Sequence, residues 1–164
     1  MARYVVVLPL EPLAAGEVFT VAQWPLHVTL VEPFETDLDA DALVAALAGV
    51  AREAAPRPIS VAVGDDAMFG PRRDIPVSLV RDGGEIAALR AATIARLREL
   101  GVDLVRLRPD FRPHVTAKRH GRVHRGERLD LGTVALVRLR PPETSHHGRI
   151  AGSWPLGELS AGGV

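Results

Sequence analysis

The chain has 164 residues, 47% of them apolar and 24% charged, and its 20 basic and 20 acidic side chains leave no net charge. This is the size and balance of one globular domain able to bury most of its apolar surface, and it does not support bulk attraction to nucleic acid as the basis of function. The absence of cysteine removes disulfides, thiolate metal sites and cysteine nucleophiles together.

Residues 3–8, Arg-Tyr-Val-Val-Val-Leu, form a β-branched run stopped by Pro9 and predict a buried strand. The apolar start is too short to span a membrane and lacks a signal-peptide cleavage pattern, so a cytoplasmic protein is expected. A linker from Glu11 to Gln23, carrying Pro12 and Gly16, leads to a second strand at about 26–32, closed by Pro33. Asp37 or Asp39 can cap a helix in which Leu43, Leu47, Val50 and Ala54 recur at helical spacing, and Pro56 and Pro58 bar its continuation past Ala55. Ile59 to Val63 predicts a strand, Gly64 to Arg73 a turn-rich stretch, and Pro76 to Val80 the hairpin partner. A second helix is predicted from Glu85 to Leu100, with Ile86, Leu89, Leu97 and Leu100 on one face and Gly101 at a left-handed C-cap. Val102 to Arg108 suggests a short strand, 111–118 a longer one, Thr133 to Leu139 another, broken by Pro141-Pro142, and Arg149 to Leu156 the last. The tail from Ser160 is expected to fray.

Two of these strands carry the same triplet. His27-Val28-Thr29 and His114-Val115-Thr116 stand 87 positions apart, each preceded by proline at the opening of an apolar run. Strand side chains alternate, so each histidine shares a face with the threonine two positions on while the valine points to the core. Two similar halves, each holding one triplet, predict a pseudo-symmetric α+β fold. The second triplet lies in a segment, 106–128, with eight Lys or Arg against Asp110 and Glu127, a local net of +6, which suggests an anionic ligand.

Other patterns carry less. His120 and His124 have the i, i+4 spacing of a metal-binding helix, but Gly121 and Gly126 argue against a helix there, and no metal site is expected. His146-His147 follows two prolines in a loop and reads as a solvated pair without a role. No serine lies in a Gly-x-Ser-x-Gly elbow. Gly83-Gly84 lacks a following Gly-Lys-Ser/Thr and reads as a turn.

The paired H-x-T triplets, the second introduced by Phe111-x-Pro113, together with the closing segment from Gly148 to Trp154-Pro155-Leu156, resemble the 2H phosphoesterase superfamily, in particular its 2′-5′ RNA ligase-like branch. The resemblance spans nearly the whole chain. It implies one two-lobed domain over 1–164 in which antiparallel sheets each contribute one H-x-T to a central groove, with helices outside. It also implies action on 2′,3′-cyclic phosphates or 2′-5′ linkages without metal or other cofactor. The implied partner is an RNA end or a small cyclic nucleotide, with no membrane involved, and a monomer is expected. Arg119 stands where that branch often has a basic residue, although on a regular strand it faces away from His114. Ala117 departs from the larger apolar residue common in relatives.

The chemistry is consistent with these residues. Opening a cyclic phosphodiester needs one group to take a proton from the nucleophile and another to protonate the leaving alkoxide, and two histidines titrating near neutrality can hold opposite states. His27 and His114 are the candidate catalytic pair, in roles the sequence leaves open. Thr29 and Thr116 offer hydroxyls to the non-bridging oxygens, and Lys118 and Arg119 add positive charge. A binding module that keeps the groove without turnover is the alternative.

Overall fold

The computed structural model describes residues 1–140 and 147–157. Among them, the order of elements is β1 (Ala2–Pro9), β2 (Val18–Phe19), β3 (His27–Thr36), α1 (Ala40–Ala54), β4 (Ile59–Phe69), β5 (Ile75–Arg81), α2 (Glu85–Glu99), β6 (His114–Thr116), β7 (Arg128–Leu131), β8 (Thr133–Leu139) and β9 (Gly148–Pro155). The strands join into one sheet in the order β2-β9-β8-β1-β3-β6-β5-β4-β7, antiparallel throughout. The expected two-lobed α+β arrangement is present: β2, β9, β8, β1 and β3 make one half, β6, β5, β4 and β7 the other. The seam is the β3–β6 pair, where Val28 faces Val115.

Both helices cover one face of the sheet. Leu43, Leu47 and Ala51 of α1 and Ile86, Leu89 and Leu97 of α2 share a core with Tyr4, Val6, Leu8, Val28, Leu30 and Val115. The Asp39 side chain caps α1 by accepting from the Ala42 amide at 3.3 Å. Gly84 gives α2 no side-chain cap, and Asp82 accepts from the Ile86 amide at 2.6 Å instead. The opposite face of the first lobe carries a smaller cluster of Val5, Val7, Phe19, Trp24, Ala135, Val137 and Ile150. Because β1 is central, it buries both of its faces, which is why its sequence is continuously apolar rather than alternating.

Several boundaries differ from expectation, for reasons that lie in pairing. Pro33 does not close the first triplet strand. β3 runs on to Thr36, and its register with β1 shifts between Val6–Val31 and Tyr4–Phe34. The proline thus sits at a bulge, where its missing N–H costs no ladder bond. The stretch from Gly64 is mostly strand: β4 bulges between Val63 and Asp66 and continues to Phe69. Pairing with β5 outweighs the weak strand preference of Gly64, Asp65 and Asp66, and the turn itself is shorter, with Gly70 at φ 92° and Arg73 at φ 50°.

No strand forms over 102–108. The Val102 amide bonds back to Leu97 O at 3.0 Å beside Gly101 at φ 85°, closing α2 in a Schellman motif, and the chain then runs irregularly with Val105 exposed. The second triplet strand is only three residues long, though backbone bonds from Val80 to Pro113 O and from Ala117 to Pro76 O extend its attachment to β5. The short strands β2 and β7 carried no sequence signal. Residues 141–146, with Pro141-Pro142 and His146, and the tail from Ser160 lie outside the described residues. No described helix is long and apolar enough to cross a membrane.

Candidate active site

The pairing of Val28 with Val115 turns two distant triplets into one cluster. In an antiparallel pair the flanking positions oppose one another, so His27 faces Thr116 and Thr29 faces His114, all on the face away from the helices. Directly opposed positions hold Cβ atoms about 5 Å apart and diagonal ones about 7–8 Å. The histidines occupy one diagonal and the threonines the other.

Each histidine is held in the same way. His27 Nδ1 lies 2.7 Å from Pro25 O, and His114 Nδ1 lies 2.8 Å from Arg112 O. A carbonyl can only accept, so Nδ1–H is the donor in both rings, and in the neutral form each Nε2 keeps its lone pair. Aromatic neighbours fix the ring planes. Trp24 stacks on His27 with centroids 4.3 Å apart, and Phe69 meets His114 edge-on at 4.5 Å.

Two clefts open from this centre and share Thr29, Pro33 and Thr116 in their walls. The one beside His114, about 310 Å³, is completed by Phe69, Ile75, Arg108, Phe111 and Arg112 among others. The one beside His27, about 280 Å³, includes Arg3, Trp24, Lys118, Arg140 and His147.

Both imidazoles are harder to protonate than free histidine. Burial pushes His27 down to about 4, with the Pro25 carbonyl opposing and the charges of Lys118 and His114 adding to the shift. His114 is also lowered, first by burial and then by Arg108 and Arg112, against the pull of the Arg112 carbonyl. Burial lowers Lys118 as well. The free site is therefore poised to hold neutral histidines until negative charge arrives.

Of the six residues singled out in the sequence, five meet here: His27, Thr29, His114, Thr116 and Lys118. Arg119 does not. It occupies the exposed turn closed by the Lys118–Gly121 bridge and lines neither cleft. His120, weighed as a metal ligand, instead hydrogen-bonds Trp24 O at 2.8 Å through Nε2 and ties this turn to the approach of β3. No cluster of potential metal ligands occurs among the described residues. His147, read as a solvated loop histidine, is half-buried against Trp24 and lines the His27-side cleft.

Phe69 falls in the stretch expected to be turn-rich, so no sequence signal marked it. Arg108 and Arg112 belong to the basic segment, but Arg122 and Arg125 of the same segment are engaged by Asp66 and Asp65 at 2.9 and 3.3 Å. Three of the seven aromatic residues, Trp24, Phe69 and Phe111, line the clefts.

The irregular segment bearing Arg108, Phe111 and Arg112 is fastened by a buried ion pair. Arg90 of α2 meets Glu32 of β3 at 2.6 and 3.1 Å and also donates to Leu30 O at 2.8 Å. Glu32 accepts from the Arg108 amide at 3.1 Å, while the Arg90 guanidinium lies 4.3 Å from the centre of the Phe111 ring. Side-chain hydrogen bonds here do what a strand ladder would otherwise do.

Comparison with known proteins agrees with this architecture. No curated protein matches the chain significantly in sequence. Among solved structures, TT0787 of Thermus thermophilus is 20% identical, with a TM-score of 0.62 over 97% of this chain and 100% of that one. Escherichia coli LigT complexed with 3′-AMP is 16% identical, with a TM-score of 0.60 over 96% of this chain and 99% of that one. A structure described as a phosphoesterase gives 16% and 0.61, over 96% and 99% of the two chains. At these identities the likeness establishes the fold. Residues 10–127 match the model of the 2′-5′ RNA ligase superfamily, and with most of its length inside that match the chain belongs to this family of 2H phosphoesterases.

Proposed function

We propose that the protein is a metal-independent cyclic phosphodiesterase that opens the 2′,3′-cyclic phosphate of an RNA end or small nucleotide to a phosphomonoester. The observation that carries this reading is the antiparallel pairing of the two triplets, with both Nδ1 atoms tied to carbonyls and both Nε2 atoms left for chemistry. Neutral His27 Nε2 takes a proton from water as the water oxygen bonds to phosphorus. The bond from phosphorus to one ribose oxygen breaks, and protonated His114 delivers its Nε2 proton to that oxygen. The assignment of His27 as base follows from its stronger bias toward the neutral form. His114 gains its proton more readily once an anionic phosphodiester is bound, because the added negative charge opposes the influence of Arg108 and Arg112.

Thr29 and Thr116 donate to the non-bridging oxygens, where charge builds, and Lys118 supplements them. With a ribose 5′-hydroxyl in place of water as the nucleophile, His27 takes its proton, the bond from phosphorus to the 3′-oxygen breaks, His114 protonates that oxygen, and a 2′-5′ linkage is left.

The test is turnover of a 2′,3′-cyclic mononucleotide and a cyclic-phosphate-ended oligonucleotide in the presence of EDTA. Product formation undiminished by the chelator is expected, and its abolition sinks the two-histidine mechanism. Saturable binding without product at any pH would identify a binding module instead.

A further inference from the structure

The cleft beside His27 holds more positive charge than one reacting phosphate requires. Arg3, Lys118 and Arg140 line it together with the imidazole of His147, and no carboxylate does among the described residues. The described ion pairs engage Arg90, Arg96, Arg122 and Arg125 but not Arg3, Lys118 or Arg140. Lys118 is held below its ordinary value by burial, and His147 by burial and then by Arg140, Lys118 and Arg3. Groups of like sign placed together in a partly desolvated cleft repel one another, and an incoming anion relieves that repulsion.

The backbone supports this grouping. Arg140 follows the end of β8 at φ 46°, a left-handed conformation unfavourable to a residue with a Cβ. Its amide donates to His147 O at 2.7 Å, and the His147 amide donates to Phe19 O at 3.0 Å. These bonds hold Arg140 and His147 together on the cleft wall. Arg3 arrives from the neighbouring strand, where it pairs with Leu139 in register. The cluster is thus assembled from residues 3, 118, 140 and 147, far apart in the chain, around space that adjoins Thr29 and Thr116.

We propose that this cleft is a second phosphate subsite, which holds a phosphate other than the one being opened, so that the preferred substrate carries at least two. The extra phosphate belongs either to the adjoining internucleotide link of an RNA end or to a further phosphate on a single nucleotide. The inference rests on the cyclic phosphodiesterase reading for the position of the first phosphate.

The experiment compares kcat/KM for a 2′,3′-cyclic mononucleotide, its 5′-phosphorylated form and a cyclic-phosphate-ended dinucleotide. It uses wild-type protein, Arg140→Asn and the double variant Arg3→Gln/Arg140→Asn. Asparagine tolerates the left-handed backbone, and the single variant serves if the double one melts early. At least one substrate with a second phosphate should gain about tenfold or more over the bare mononucleotide in the wild type. That gain should shrink with added salt and fall by most of its size in the variants. A gain confined to the dinucleotide supports an RNA end, and one confined to the 5′-phosphate supports a small nucleotide. Equal values for all three substrates, or a gain that survives in the variants, overturns the proposal. Should none of the three turn over, the phosphodiesterase reading fails separately. Calorimetry with a nucleoside 3′,5′-bisphosphate against the 3′-monophosphate then decides the subsite by the same comparison of wild type and variants.

Discussion

Val28 on β3 lies directly across from Val115 on β6, with 0% and 1% of their surfaces exposed, and this pair joins the two lobes while presenting both triplets on the groove face. The buried valines fix the register. A slip of one residue in either strand would send that strand's histidine and threonine into the core.

Under the proposed mechanism, replacing His27 or His114 should remove most activity. His27→Ala and His114→Ala are each expected to lower kcat by about 10² to 10⁴, the usual worth of one positioned proton transfer. Single-turnover rates on a cyclic mononucleotide measure this, and loss of less than tenfold in either would exclude that residue from the chemistry.

The threonines should matter through their hydroxyls alone. Thr29→Val and Thr116→Val keep the side-chain shape and should cost roughly 10² to 10³ in kcat with little change in melting temperature, as expected for lost transition-state donors. A rise in KM with unchanged kcat would mean that they bind substrate without favouring the transition state.

The pH profile follows from the two lowered imidazoles. kcat/KM reports the free enzyme, so its acid limb should fall near the value of about 4 at His27, and its alkaline limb should lie below the ordinary 6.5 because His114 is lowered too. An alkaline limb well above neutrality would remove His114 as the acid.

The same shifts make stability depend on pH. Between about 4 and 6.5 the unfolded chain binds protons that the folded histidines refuse, so stability is fully present above 6.5 and is lost as pH falls toward 4. His27 contributes about 3 kcal/mol of this at most. Urea titrations at pH 7.5 and 5 should show the loss in wild type and a flatter dependence in His27→Gln.

The Arg90–Glu32 pair should prove both structural and positional. Arg90→Met leaves a nearly buried carboxylate without its partner and should cost about 3–5 kcal/mol in unfolding free energy. Because Arg90 also supports Arg108 and Phe111, KM should rise more than kcat falls. A stable variant with unchanged KM would show that the 102–113 segment holds its place without the pair.

How the helices sit on the sheet can be tested at Gly152 of β9. A Cβ there would come within 2.5 Å of a Val44 methyl on α1, so Gly152→Ala should destabilise by about 1–3 kcal/mol, and adding Val44→Ala should recover much of that.

Local features could be read from the residues alone. Apolar periodicity and Asp39 marked α1, Gly101 marked the end of α2, and alternation within each triplet paired every histidine with its threonine and sent Val28 and Val115 inward. Features that need a partner awaited the folded chain. A strand has no hydrogen bonds of its own, so the bulge at Pro33, the extension of β4 to Phe69 and the loss of a strand over 102–108 depended on which neighbour lay alongside. The convergence of two histidines 87 positions apart had the same origin, and so did the gathering of Arg3, Lys118, Arg140 and His147 in one cleft. Their common neighbourhood exists only because antiparallel pairing across the sheet brings the two ends and the middle of the chain to one face.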